Sequence, residues 1–232
     1  VKRRAFTLLD TLLSLGLFSL LTLVLFSVFA QGTSLFTLGV NRSDLHSELR
    51  AINALMSREV NHSSFYSLAI HNVGTTIFTP RRLDYPNQLE SVHRDAFSCA
   101  ALRNPLEETS YVAATGAPLW DCHCVYFSSQ ESPYGKLMRF RVGQAADERQ
   151  FPLASFPGII NTYTSAALPG TFRVLSQRLM EFSVERQLAD QLLIVRLSLR
   201  ANRGRLTQAK RSTAEILESR LVFKLENTWP RL

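Results

Sequence analysis

Apolar residues follow several distinct patterns along the chain. Between Phe6 and Ala30 the apolar run is nearly unbroken, and Asp10 is its only ionisable side chain. About 20 consecutive apolar residues suffice to cross a bilayer as a helix, so the pattern predicts a membrane-spanning helix over 6–30. Beyond it Leu38, Leu45, Leu49, Ile52, Met56 and Val60 recur mostly three, four or seven residues apart. That spacing lines one face of a helix. Ser43-Asp44, His46-Ser47-Glu48 and Arg58-Glu59 fill the gaps. The helix is therefore expected to continue over 31–62 in amphipathic form, with its apolar face laid on another element.

The remaining stretch, 63–232, reads as a globular head. After His62 the breakers Gly74, Pro80, Pro86, Pro105, Gly116 and Pro118 predict short strands and loops. A hairpin is expected next, with Cys122 to Phe127 and Leu137 to Val142 flanking the turn-rich segment from Ser128 to Gly135. In its second strand Met138, Phe140 and Val142 alternate with Arg139 and Arg141, which predicts one buried and one wet face. Residues 143–171, with Pro152, Pro157 and Pro169, read as a loop-rich connection. Alternation returns around Met180–Glu185, Val195–Arg200 and Ser219–Leu225, giving three antiparallel strands, the last two joined by a polar connection over 201–214. The fold class expected is α+β, one long amino-terminal helix packed on an antiparallel sheet.

Three readings compete for the first thirty residues. Val28 and Ala30 are small residues spaced as in a secretory cleavage site before Gln31. The run from Phe6 is longer than the roughly 7–15 apolar residues of a signal peptide, which argues against that reading. A plain anchor accounts for the length, and Lys2, Arg3 and Arg4 ahead of it would keep the amino terminus in the cytoplasm. It leaves Asp10 without a purpose, because an aspartate at the centre of a membrane helix costs about 2.5–3.5 kcal/mol and normally marks a functional partner. A cut between Ala5 and Phe6 would supply one. The new amine on Phe6 would stand one helical turn from Asp10, with the same amine on each neighbouring copy.

The stretch Lys2-Arg3-Arg4-Ala5-Phe6-Thr7-Leu8-Leu9-Asp10 resembles the leader and cleavage motif of type IV prepilins. Ala5 stands where that family usually has glycine, and Asp10 where it usually has glutamate. The resemblance implies a leader over 1–5, removed by a membrane prepilin peptidase that also methylates the amine of Phe6. It further implies that Asp10 pairs with a neighbouring subunit's amine during assembly. The order of helix, variable middle and terminal sheet, ending in Leu217-Glu218-Ser219-Arg220-Leu221-Val222-Phe223, is similar to minor pilins of the PilW type and J-type pseudopilins. The expected function is then structural: a subunit that primes or caps a type IV pilus or a type II secretion pseudopilus. Its partners would be other pilin or pseudopilin subunits, the peptidase and the inner-membrane assembly platform. Its location would be the bacterial inner membrane, with the head outside the cytoplasm, and then the filament. The alternative is a bitopic, membrane-anchored binding domain that never polymerises.

Composition adds three points. The chain carries Cys99, Cys122 and Cys124, all beyond the apolar run. By the pilin resemblance, an exported head would use a disulfide from Cys99 to Cys122 or Cys124 to tie down its irregular segment. Asp121-Cys122-His123-Cys124 also suggests zinc, but on a strand His123 would face away from the two thiols, so no metal site is assigned. The net charge of +7 includes Lys2, Arg3 and Arg4, and a second basic group, Arg196, Arg200, Arg203, Arg205, Lys210 and Arg211, lies near the carboxyl end. Without interleaved aromatics for stacking, that group reads as a solvated connection and not as a nucleic-acid grip. His46, His62, His71, His93 and His123 are scattered, with no nucleophile elbow or phosphate loop, so neither an enzyme nor a cofactor is expected.

Overall fold

A computed structural model of the chain describes residues 8–71, 77–80, 89–102, 104, 106–132, 134–147, 172–200 and 216–225. The expected leader, most of the 143–171 connection and the 201–214 connection lie outside these residues. Two compact units divide the chain, Val1–Ser43 and Asp44–Leu232, and one helix, α1 (Leu8–Val60), contributes to both.

Within the first unit α1 is long and apolar enough to cross a membrane: its most apolar 18-residue window has a mean hydropathy of 2.4 and none of it is buried. Four hydroxyls of this stretch are satisfied inside the helix. Thr11, Ser14 and Ser19 donate to the carbonyls of Leu8, Thr11 and Gly16, and Thr22 donates to that of Phe18. Hydroxyls bonded to their own backbone add little desolvation cost in hydrocarbon.

In the second unit the amphipathic turns of α1 bury Leu45, Leu49, Ile52, Met56 and Val60, as their spacing predicts. Each such side chain taken from water contributes about 1.5–3 kcal/mol. They pack on a curled, seven-stranded antiparallel sheet ordered β1-β4-β5-β6-β7-β8-β9. Its strands are β1 (Ala69–His71), β4 (Ala96–Ala101), β5 (Trp120–Ser128), β6 (Gly135–Asp147), β7 (Phe172–Gln187), β8 (Leu192–Arg200) and β9 (Ile216–Lys224). A separate hairpin pairs β2 (Ile77–Pro80) with β3 (Leu89–Val92). Single 3-10 turns occupy Phe65–Ser67 and Glu108–Ser110. The short elements expected after His62 are thus present, as are the hairpin about Ser128–Gly135 and the three antiparallel strands of the last third.

Two expectations need correction. Strand β6 continues to Asp147, so the connection does not begin at residue 143. The alternation in β6 is real and Met138 and Phe140 are buried as expected, but the opposite face is not wet. Met138 and Phe140 pack with Ala96, Val125 and Phe127 in a second apolar cluster, while Arg139 and Arg141 lie on the face turned to α1. Alternation yields one wet face only where one face is left open. Here both faces are covered, and the arginines are accommodated by a carboxylate from the helix. Register shifts in the β5–β6, β6–β7 and β7–β8 pairs bend the strands locally and give the sheet its curl.

Candidate functional site

Asp10 occupies the first turn of α1 and is exposed there. An acid in that turn is favoured by the partial positive charge of the helix start. Ala5 and Phe6 lie outside the described residues. The structure therefore supplies the acid and its apolar helix, and gives no geometry for the amine expected to meet it.

A buried polar hub lies under the last turn of α1. The carboxylate of Glu59 accepts hydrogen bonds from Tyr126, from Arg139 through both Nε (3.0 Å) and Nη2, and from Arg141 Nη2 (3.1 Å). Register brings these donors together: Tyr126 stands opposite Arg139 across β5 and β6, and Cys124 opposite Arg141. Burial alone would raise the pKa of Glu59, but the bonds from Arg139, Tyr126 and Arg141 outweigh it and hold the carboxyl below its usual range. Burial likewise opposes the charge on Arg139, and Glu59 overcomes it, leaving the guanidinium pKa raised. Tyr126 is pushed up by burial and by the neighbouring carboxylate, so it remains a neutral donor.

The sequence reading placed Glu59 among the polar gap residues, whereas it is 5% exposed. A signal was available. Leu45, Leu49, Ile52 and Met56 step by four, three and four, and the next step of three falls on Glu59. A charged residue in a buried helical stripe, with arginines on an alternating strand elsewhere, points to a buried ion cluster.

The three cysteines line the same core face, and all are buried thiols in this structure. Cys99 is the cross-strand partner of Cys124, and Cys122 that of Ala101, whose carbonyl is 3.5 Å from its Sγ. His123 is opposite Ala100 on the other face, as the alternation predicts. Among the described residues no group of three His, Cys, Asp or Glu is placed to hold a metal ion. Burial raises the pKa of Cys99. Hydrogen bonding between the two free thiols raises Cys122 and lowers Cys124, and Arg139, 3.8 Å from Cys124 Sγ, adds to the lowering.

A second buried cation was not anticipated. Arg94 donates through Nε to the Met180 carbonyl (2.7 Å), through Nη1 to that of Ser129 (2.9 Å) and through Nη2 to that of Leu179 (3.0 Å). Burial brings its pKa down to about 10. Next to it, Asp95 Oδ2 accepts from the Val184 amide at 2.9 Å, which fastens this segment to β7. Gly135 makes room for the guanidinium, because a Cβ there would stand 1.5 Å from Arg94 Nη1. Of the basic group near the carboxyl end, Arg196 is exposed on β8. Arg200 instead is buried, with its guanidinium 5.4 Å from the Tyr134 ring centre, so it does not belong to a solvated connection. Arg203, Arg205, Lys210 and Arg211 lie outside the described residues.

The molecule belongs to the class in which an α+β head is joined to an apolar helix able to cross a membrane. No family model matches the sequence, and no curated protein or solved structure matches it either.

Proposed function

We propose that the chain is a minor pilin or pseudopilin, a structural subunit that primes or caps a filament of the type IV pilus or type II secretion kind. The observation that carries this reading is Asp10, the one acid of the apolar run from Phe6 to Ala30, set in the first turn of an exposed apolar helix. An isolated carboxylate is costly in hydrocarbon, and a carboxylate and an ammonium buried together cost far less than either alone. An amine at Phe6 of a neighbouring copy would supply that ammonium. The Ala5-Phe6-Thr7-Leu8 sequence and the packing of the second half of α1 on an antiparallel sheet support the same reading.

The test separates processing from assembly. Mass spectrometry of the membrane-extracted protein should find a mature chain beginning at methylated Phe6. Ala5→Leu should leave Lys2, Arg3 and Arg4 attached. Asp10→Ala should be cleaved and membrane-bound but strongly depleted from sheared filaments, and Asp10→Glu should assemble. A native chain that begins at Gln31, or one that keeps its basic leader and never enters a filament, would remove the proposal in favour of a secreted or anchored binding domain.

A further inference from the structure

Beside the Glu59 hub a cleft of about 460 Å³ opens between the end of α1, β6 and the segment that follows β4. Its polar lining comes from Arg58, His62, Asn104 and Arg141, and its apolar lining includes Leu102 and Leu106. The volume lies within the range of small-molecule sites, which combine apolar walls with a few placed polar groups. Among the described residues of the lining the charge is unbalanced. Glu59, the carboxylate of the lining, is already bonded by Arg139, Arg141 and Tyr126, so its charge is taken up within the hub. Arg141 gives Nη2 to Glu59, while its Nε is buried without an acceptor among the described residues. Arg58 adds a further exposed guanidinium from the helix. Leu106 is 93% exposed, an apolar side chain left in water at the rim.

We propose that this cleft binds a small organic acid, with its carboxylate held by Arg58 and Arg141 and its apolar body laid on Leu102 and Leu106. The planar guanidinium fork matches the two oxygens of a carboxylate. A bare phosphate would satisfy the cations equally but leave the leucine wall wet. This reading is independent of filament assembly, since every residue it uses lies in the second compact unit.

The full chain in detergent micelles is titrated calorimetrically with 3-phenylpropionate, its neutral amide and inorganic phosphate, with empty micelles as the blank. Saturable binding is expected for the acid, with the amide and phosphate each weaker by about tenfold or more, the effect of losing one charge-assisted bond or the apolar contact. Arg58→Gln and Leu106→Asp, both at exposed positions, should weaken the acid to a similar extent while leaving the urea unfolding midpoint unchanged. Absence of binding by the native chain, or equal binding in Arg58→Gln, overturns the proposal. An amide as tight as the acid removes its charged half, and phosphate as tight as the acid removes its apolar half.

Discussion

Replacing Glu59 by Gln keeps the shape of the side chain and an acceptor for Tyr126 but removes the charge that two guanidinium groups meet. Breaking a buried ion pair from one side typically costs about 3–5 kcal/mol, because the remaining charge stays in a poor solvent. The side chains of Arg139 and Arg141 are 14% and 30% exposed, so both regain some water, and a loss near the lower end, about 3 kcal/mol, is expected. With a urea slope of about 2 kcal/mol per molar, the midpoint should fall by roughly 1.5 M. Near-ultraviolet circular dichroism of the full chain in detergent would follow it. Arg139→Gln and the double variant complete a cycle, with a coupling of about 1 kcal/mol or more expected for groups in contact. The pH dependence has a definite sign. Glu59 is held below its usual pKa in the folded state, so its contribution is complete above about pH 4.3, the unfolded value, and is lost as the pH falls through the lowered folded value. The gap between native and Glu59→Gln should close over that acidic window. A midpoint shift under about 0.3 M, or strictly additive single variants, would refute the assignment of the hub as a coupled ion cluster.

Gly135→Ala should destabilise the head by about 2–4 kcal/mol, since the new methyl displaces a guanidinium that serves three buried carbonyls; Arg94→Met in the same background should recover part of the loss, read by urea unfolding. Non-reducing peptide mapping of protein taken from the cell envelope should show a Cys99–Cys124 bridge with Cys122 free. Directly opposed residues are about 4.5–5.5 Å apart at Cα, within disulfide reach, whereas Cys99 and Cys122 are diagonal across the ladder. Three free thiols in that sample would sink the prediction. Replacing Arg203, Arg205, Lys210 and Arg211 by Ser should leave folding and export unchanged. DNA binding by the native head at moderate salt that these changes abolish would overturn the solvated reading.

Periodicity made the elements legible and left the burial of their charged members open. The amphipathic half of α1 was readable because its leucines step with helical spacing, and the β5–β6 hairpin because turn residues sit between two strand-like runs. The same alternation put Met138 and Phe140 inside, as they are, but could not say that the opposite face, with Arg139 and Arg141, is covered as well. That outcome depends on Glu59, 80 residues away from Arg139 in the chain. Buried polar groups are decided by such distant partners, and a local window carries no record of them. Arg94 was invisible for the same reason, because its partners are backbone carbonyls that any sequence would provide. That Cys122 and Cys124 share a face with His123 on the other, in contrast, followed from a period of two alone, while the place of Cys99 opposite Cys124 needed the register of β4 on β5.

The same Arg94 sets an order of events. Its three acceptors lie 35, 85 and 86 residues further along the chain. When Arg94 is first synthesised, none of them exists. The guanidinium can leave water only after the β5–β6 turn has formed and β7 has come to lie beside it, so this contact closes late and closes large loops. Contacts of such separation slow folding, because chain entropy is spent before the contact rewards it. In a chain released before β7, Arg94 would stay in water with two of its three acceptors missing. Completion of the head is thereby tied to synthesis of its last third, where two of the three carbonyls that receive Arg94 are made.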